Sequence, residues 1–558
     1  MNIVVRKIAL CKLFFYCKSI WKLCYFVKLR VYIIIKIALN MKGGVLMTNP
    51  AYEIERLLQF GTKHGMLDRL DKIVARNQML DLLKLNEPYA GDIADENLEY
   101  PTEILNNLLE YAGDAGIFDK EVHSFRELFD TKIMGSIMPR ASEIEKNFYD
   151  LAQKQSIKDA TDYFYELCKA SNYIRTEQIA KNIKWSSASK YGRLEITINL
   201  TKPEKDPKTI ALERQQPQSD YPKCMLCVDN IGYAGRINFP ARQTHRLIPI
   251  ILCGEQWYFQ YSPYVYYNEH CIVLSEKHES MQISKKTFKL LLDFVKQFPH
   301  YICGSNADLP IVGGSILSHN HFQGGSYVFP MQKAQVIKEY NCKKYDNLKI
   351  GILKWPLSVI RIVSDNMEEL VDFSDYIFTK WKDYSDNEVE VYAYSDDGEI
   401  PHNTITPIAR KNEAGKYELD LVLRNNRTTN EHPYGIFHPH KEVHHIKKEN
   451  IGLIEVMGLA ILPGRLKKET EQIEDILCGK SNIEFYNEEH VLYKHKPWIE
   501  ELIMKYGNFL TKERADEVIE LEISKKFETC LEHAGVFKQS ESGLRAFDSF
   551  ITTALSDY

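Results

Sequence analysis

The sequence lacks any long uncharged hydrophobic run. In its most apolar segment, residues 1–46, Lys or Arg recurs every few residues, so no stretch approaches the roughly 18 uncharged residues that a membrane span needs. A signal peptide is also a poor match, because no single apolar centre is followed by a small-residue cleavage site. We therefore expect no membrane partner. A basic helix lying on a membrane surface is the alternative interpretation of this segment.

The same segment has no acidic residue, although it contains nine Lys and Arg. Its last residues, Lys42-Gly43-Gly44-Val45, can be read as the translation of a purine-rich ribosome-binding sequence just upstream of Met47. We therefore interpret residues 1–46 as a non-native leader and expect the protein to start at Met47.

Cysteine is scarce, with twelve residues in a chain of 558, and outside the first 46 residues only Cys224 and Cys227 stand close together. Scattered single cysteines do not form a disulfide framework, so we expect a cytoplasmic protein. The Cys-x-x-Cys pair is typical of a metal or redox site. Redox use is disfavoured, because no thioredoxin-like βαβ pattern surrounds the pair.

Outside residues 1–46, Lys and Arg are outnumbered by Asp and Glu. The whole chain has a net charge of -5 and this segment contributes +9, which leaves -14 for the other 512 residues. Binding to a phosphate backbone requires clustered cations, so nucleic acid is excluded as a partner. Small anionic substrates remain open.

Hydrophobic spacing changes along the chain and predicts an α+β fold. Residues 47–190 have helical spacing, whereas alternation with a period of two begins at Leu194 and short β-rich runs follow. We expect a helical N-terminal region at 47–190, a sheet region at 191–335 and a second sheet region with C-terminal helices at 336–558. No short-period repeat is present, although the two sheet regions fit the halves of an ancient duplication.

The segment Gly313-Gly314-Ser315-Ile316-Leu317-Ser318-His319-Asn320-His321-Phe322-Gln323-Gly324-Gly325 concentrates residues suited to phosphoryl chemistry. Glycines let backbone N–H groups approach phosphate oxygens, and Ser and Gln side chains can donate to developing charge. A neutral imidazole can attack phosphorus. In a strand, His319, His321 and Gln323 would share one face. The alternative is a glycine turn with two surface histidines.

This run resembles the active site of the galactose-1-phosphate uridylyltransferase family, a nucleotidyltransferase branch of the histidine-triad superfamily, and in particular its bacterial class II. The resemblance extends from about Met47 to the C-terminus. It implies two histidine-triad-like sheet halves and uridylyl transfer from UDP-glucose to galactose 1-phosphate through a uridylyl-His321 intermediate. It also implies that Gln323 contacts the phosphoryl group and that Asn306, Ser315 and Ser318 bind substrate.

Two other functions stay open beside this one. One is histidine-triad chemistry on a different nucleotide, by transfer or hydrolysis, and the other is nucleotide binding without turnover. The chain also departs from the family pattern, because two extra residues stand between Asn306 and His319. The matching of Asn306 and Ser315 to the family's residues depends most on this difference.

Cys224 and Cys227 could supply two of the four ligands of a tetrahedral zinc site. The resemblance supplies His278 and His319 as the other two. Such a zinc ion would be structural, because the expected reaction itself requires no cofactor. The alternative is that the cysteines are buried thiols and that His278 is a surface residue.

Two further groups of residues are candidates for binding. His438-Pro439-His440 lacks the Gly/Ser approach and the following Gln, so we do not expect it to be catalytic. By the same resemblance His438 and His440 could hold a second metal, and a solvated His-rich loop is the alternative. Arg236, Asn238 and Arg242 could bind the diphosphate or nucleoside, or could form surface ion pairs. A homodimer is also expected.

Overall fold

The computed structural model describes residues 49–201, 219–395, 398–485 and 487–558. The expected leader, residues 1–46, lies outside these ranges. Within them, no helix combines the length and the apolar character needed to cross a membrane.

Among the described residues, seven helices precede the first strand. The helix α1 begins at Pro50, where the side chain of Asn49 accepts a hydrogen bond from the Ala51 amide and so satisfies one of the free N–H groups of the first turn. Apolar side chains of these helices form a core that continues into the sheet. The N-terminal helices are α1 (Pro50–Lys63), α2 (Asp71–Leu82), α3 (Thr102–Asp114), α4 (His123–Gly135), α5 (Ala141–Lys154), α6 (Ile157–Ala170) and α7 (Thr176–Ile179).

Ten strands form one antiparallel sheet in the order β3-β4-β5-β7-β6-β11-β12-β10-β9-β8. They are β3 (Ile248–Leu252), β4 (Glu255–Tyr261), β5 (Cys271–Ser275), β6 (Ile302–Gly304), β7 (His321–Gly325), β8 (Val336–Asn341), β9 (Lys349–Leu353), β10 (Val359–Ser364), β11 (Asn403–Lys411) and β12 (Tyr417–Asn425). A second sheet of three strands has the order β1-β2-β13, from β1 (Ile183–Ser189), β2 (Gly192–Asn199) and β13 (Leu459–Pro463).

The large sheet consists of two groups of five strands with the same internal order. Counted inward from each edge, one group runs β3-β4-β5-β7-β6 and the other runs β8-β9-β10-β12-β11. Helix α8 (Lys285–Gln297) stands between β5 and β6, and helix α9 (Met367–Lys382) stands at the matching place between β10 and β11. The two groups therefore repeat one plan, as the expected duplication requires.

The two groups meet at a short seam, where β6 and β11 pair through Gly304 with Ile408 and through Cys303 with Ala409. One row of directly paired residues crosses this seam. Gln323 pairs with Gly304, Gly304 with Ile408, and Ile408 with Asp420. Since directly paired residues lie on the same face, Gln323 and Asp420 project from one face of the sheet.

Helices α8 and α9 cover the opposite face, where the last helix of the chain joins the first core, while β2, β13 and the other C-terminal helices pack in a second core. The later helices are α10 (Leu453–Val456), α11 (Arg465–Leu477), α12 (Lys496–Tyr506), α13 (Lys512–Ala534) and α14 (Glu541–Ser556). The fold class is thus α+β with a helical N-terminal region, as the sequence predicts. The division of the chain at 190 and 335 into domains stays a prediction.

Candidate active site and metal centre

The strand β7 begins at His321 and lies between β5 and β6. Phe322 points into the core, where its ring stacks on Trp257 at a centroid distance of 5.0 Å. His321 and Gln323 therefore project from the other face. The strand is shorter than the sequence suggests: His319 precedes it, and its ring faces Cys224, so only His321 and Gln323 share a face.

His321 is 5% exposed, and its Nδ1 lies 2.8 Å from the carbonyl oxygen of His319. A carbonyl only accepts, so Nδ1 carries the proton and Nε2 carries the lone pair. Burial lowers the pKa of His321 to about 4, which keeps the ring neutral near pH 7. The imidazole is thus held in the form that can act as a nucleophile.

The glycine and serine residues before His319 line a cavity of about 680 Å³, which includes the exposed Ser315 and Ser318. Asn306 is buried beside this loop, and its Oδ1 accepts a hydrogen bond of 2.9 Å from the Leu453 amide. A Cβ on Gly314 would lie 2.7 Å from Nδ2 of Asn306, so a larger residue would require Asn306 or the loop to shift. Asn306 therefore packs closely against the loop that borders the cavity.

The four expected metal ligands form one cluster. Their ligand atoms all lie within 4.8 Å of one another, at the side chains of Cys224, Cys227, His278 and His319. The two sulfurs are 3.6 Å apart, and Nδ1 of His319 and of His278 lie 3.3 and 3.2 Å from the sulfurs of Cys224 and Cys227. Tetrahedral zinc would separate two sulfurs by about 3.8 Å and a sulfur from a nitrogen by about 3.6 Å. The donor set and spacing therefore fit zinc.

The hydrogen bonds of His319 also suit a metal ligand. Its Nε2 donates to the carbonyl oxygen of Ser275 over 2.9 Å, which leaves the lone pair on Nδ1, the atom that faces the cysteines. Burial tends to raise the pKa of Cys224, but bonding to His319 and to the Leu226 amide lowers it below its usual value. Burial and Cys224 raise the pKa of Cys227 to about 11. One thiolate is thus stabilised by the protein alone.

The two arginines expected to bind substrate differ in their contacts. Arg236 donates to the Asn238 side chain, to Tyr233 and to the backbone oxygens of Tyr221 and Ser219, so most of its donors hold its own loop together. The side chain of Arg242 has no hydrogen bond or ion pair with the described residues. Arg242 is therefore the more available cation for an anionic ligand.

His438 and His440 do not face the same group of side chains. His438 is buried, and its Nδ1 lies 3.1 Å from the Pro439 oxygen. His440 lies instead with Glu442 and His533 in a second cluster of metal-ligand types. Nδ1 of His533 accepts from the His440 amide, and its Nε2 lies 3.3 Å from Glu442, so this cluster is bonded internally. A second metal there stays a prediction.

Sequence reasoning missed His270, which directly precedes β5. Its Nε2 lies 3.1 Å from Oε1 of Gln323, although 53 residues separate the two in the chain. No motif surrounds His270. Only the register of β5 and β7 brings it to the reactive face, and one sequence does not provide that register.

Two family models match the chain. Residues 65–280 match the model described as galactose-1-phosphate uridyl transferase, N-terminal domain, and residues 294–494 match that for the C-terminal domain. Together these ranges contain every candidate residue named above except His533.

Curated relatives align over most of the chain. A galactose-1-phosphate uridylyltransferase of Caldanaerobacter subterraneus is 57% identical over 508 residues, which cover 90% of this chain and 98% of the relative. The Bacillus subtilis protein of the same name is 47% identical over 89% of this chain and 96% of its own length. A crystal structure of a yeast Ap4A phosphorylase aligns with 59% of this chain and 89% of its own, at 10% identity and a TM-score of 0.30.

Proposed function

Because the chain belongs to the galactose-1-phosphate uridylyltransferase family, a family of nucleotidyltransferases, we propose that it transfers uridylyl from UDP-glucose to galactose 1-phosphate through a uridylyl-His321 intermediate. The products are glucose 1-phosphate and UDP-galactose. The names of the relatives support the transferase activity, and the geometry of His321 supports the proposed double displacement.

One observation supports the nucleophile above all others. The Nδ1–H group of His321 donates to the His319 carbonyl oxygen, so Nε2 is the ring atom whose lone pair can attack. Because the pKa of His321 is lowered to about 4, nearly all of the imidazole is already neutral at pH 7. No proton therefore has to leave the ring before attack. A cationic ring could not attack phosphorus.

The reaction then proceeds in two displacements. Nε2 of His321 forms a bond to the α-phosphorus of UDP-glucose as the bond from that phosphorus to the glucose 1-phosphate oxygen breaks. A phosphate oxygen of galactose 1-phosphate next forms a bond to the same phosphorus, and the bond to Nε2 breaks. Two inversions give net retention at phosphorus. Both the leaving group and the acceptor are phosphates, so no strong general base is needed.

The surrounding groups stabilise the charge on the transferring phosphoryl group. Gln323 projects from the same strand face as His321 and can donate from its amide, while Ser315 and Ser318 can donate from the loop. Asn306 packs against this loop and can bind a phosphate oxygen through its amide, and Arg242 offers a cation to the diphosphate. Positioning and electrostatic stabilisation therefore provide the catalysis.

We also propose that Cys224, Cys227, His278 and His319 hold a structural zinc ion. Zinc in this position would brace the segment that leads into β7, and His319 would connect the brace to His321. The chemistry of transfer uses no metal. The nine described cysteines are all free, which supports a cytoplasmic location. A homodimer stays a prediction.

The direct test uses UDP-glucose labelled at the α-phosphorus. The wild-type enzyme is expected to retain label on protein in the absence of acceptor and to release it as UDP-galactose when galactose 1-phosphate is added. His321→Ala should retain no label, and His321→Gly should regain transfer when imidazole is added. The matched control is His300→Ala, because His300 is a histidine whose ring bonds to Thr161 of helix α6 and takes no part in the proposed site.

Two results would reject the proposal. Full transfer by His321→Ala would exclude His321 as the nucleophile, and sequential rather than ping-pong kinetics would exclude the intermediate. Label transferred from an adenylyl donor, or hydrolysis without any acceptor, would favour the other histidine-triad activities. Binding of UDP-glucose without exchange would favour a non-catalytic nucleotide-binding protein.

A further inference from the structure

His270 is a buried imidazole on the reactive face that the double displacement does not use. It is 2% exposed, and the ring meets Gln323 through Nε2 and Oε1 at 3.1 Å. We propose that His270 is a positioning residue that orients the Gln323 amide so that its NH2 group faces the transferring phosphoryl group. This inference rests on the proposed function, in which Gln323 donates to that group.

The sheet register explains how the two side chains meet. Gln323 pairs directly with Ile272 across β5 and β7. His270 stands two residues before Ile272 on the same strand path, so it projects from the same face as Gln323 and lies diagonally beside it. The strand register therefore places the two side chains next to each other.

Two tyrosines hold the His270 ring in place. The ring centroids of Tyr266 and Tyr267 lie 5.5 and 4.6 Å from that of His270. Tyr267 also donates through its hydroxyl to the carbonyl oxygen of Gly324 over 3.0 Å, which ties it to the residue after Gln323. His270 is consequently fixed relative to the strand that bears the reactive residues.

The protonation of His270 decides which way the amide points. Burial lowers the pKa of His270 to about 4, so the neutral ring has one N–H group. Its Nδ1 is buried and has no hydrogen-bond partner among the described residues. Orphaned buried N–H groups are rarer than unpaired acceptors, so the proton belongs on Nε2.

An Nε2–H group on His270 can donate a hydrogen bond but cannot accept one. Gln323 must then present Oε1 to it, because the reversed amide would place N–H against N–H. The NH2 group of Gln323 is left without a hydrogen bond to the described residues and stands free on the reactive face. Without His270 the amide could turn either way, and half of its orientations would offer an oxygen to an anionic phosphoryl group.

A double-mutant cycle tests this coupling. His270→Leu should lower kcat about tenfold and leave KM for UDP-glucose within about twofold. Loss of one hydrogen-bond donor typically lowers kcat a hundredfold or more, and a misoriented donor should lower kcat by less than that. Gln323→Met should lower kcat about a hundredfold. His270→Leu should cause no further loss in the Gln323→Met protein. His270→Gln should restore most of kcat, because its side-chain amide can donate from nearly the same place.

The possible failures are distinguishable. If Gln323→Met keeps full activity, the donor role of Gln323 in the proposed function is wrong. If Gln323→Met is slow but His270→Leu is not, or if the two losses multiply, the inference about His270 is wrong. His300→Leu, which also breaks a histidine hydrogen bond of 3.0 Å, should leave kcat unchanged.

A second measurement reads the protonation of His270 directly in the wild-type enzyme. In the wild-type enzyme with ¹⁵N-labelled histidine, the His270 signal, assigned by its absence from His270→Gln, should report a protonated Nε2 and a bare Nδ1. A protonated Nδ1 would overturn the inference, because Nε2 would then accept from the Gln323 NH2 group.

Discussion

Nδ1 of His321 donates to the backbone oxygen of His319 over 2.8 Å, while the ring of His319 faces the sulfurs of Cys224 and Cys227. The proposed nucleophile is therefore bonded to the main chain of a proposed metal ligand. A displacement of the metal cluster would reach His321 through a single residue.

Metal removal should consequently affect stability and rate together. We expect about one zinc per chain by elemental analysis, and Cys227→Ser should lose it, melt at a lower temperature and transfer uridylyl at least tenfold more slowly. Loss of a group that only orients a metal ligand commonly lowers metal affinity or activity by 10- to 100-fold, and loss of a ligand itself should cost at least as much. Cys253→Ser is the control, since Cys253 is exposed and outside the cluster. Metal-free protein with normal melting and normal kcat would contradict this expectation.

Gly314→Ala should damage the loop that borders the cavity. The new methyl group would lie 2.7 Å from Nδ2 of Asn306, so either Asn306 loses its bond from the Leu453 amide or the loop moves. We expect a loss of about 1–3 kcal/mol in the free energy of unfolding and a higher KM for UDP-glucose. Urea denaturation and steady-state kinetics measure the two effects. Unchanged KM with unchanged stability would show that the loop adapts freely.

Asp420→Asn should destabilise the fold strongly. Asp420 is fully buried and accepts hydrogen bonds from Arg361 at 2.7 and 2.9 Å and from Arg410 at 2.6 Å. The change therefore removes a negative charge that two buried arginines share. Loss of one partner of a buried ion pair typically costs about 3–5 kcal/mol. The matched control is Asp365→Asn, whose exposed pair with Lys416 should contribute less than about 1 kcal/mol. Equal losses in urea denaturation would contradict this difference.

The sequence predicts those parts of the site that depend on short-range spacing. His321 and Gln323 are two residues apart in one strand, and Cys224 and Cys227 form one knuckle, so local pattern and family resemblance suffice to name them. His270 and His533 were missed for a common reason. His270 stands 53 residues from Gln323 in the chain, and His533 stands 93 residues from His440. Such contacts depend on strand register and helix packing, which one sequence does not provide.

The fold shows the same limit. Helical spacing and β alternation predict an α+β chain with two sheet regions. They do not predict that the regions join, because the seam consists of two residue pairs between β6 and β11, and β6 has only three residues. A strand that short has too few residues for a period to be recognised.

Gln323 and Asp420 occupy one row of the sheet on opposite sides of that seam, and their surroundings differ in kind. Near Gln323, Nδ1 of His270 is buried without a partner among the described residues, and such an atom costs about 1–3 kcal/mol. Asp420 has its charge compensated by two arginines. The row therefore combines a charge-compensated end at Asp420 with an uncharged end at Gln323, where a side-chain amide stays available to a ligand. A substitution at Asp420 should consequently lower stability first, whereas one at His270 or Gln323 should lower activity first.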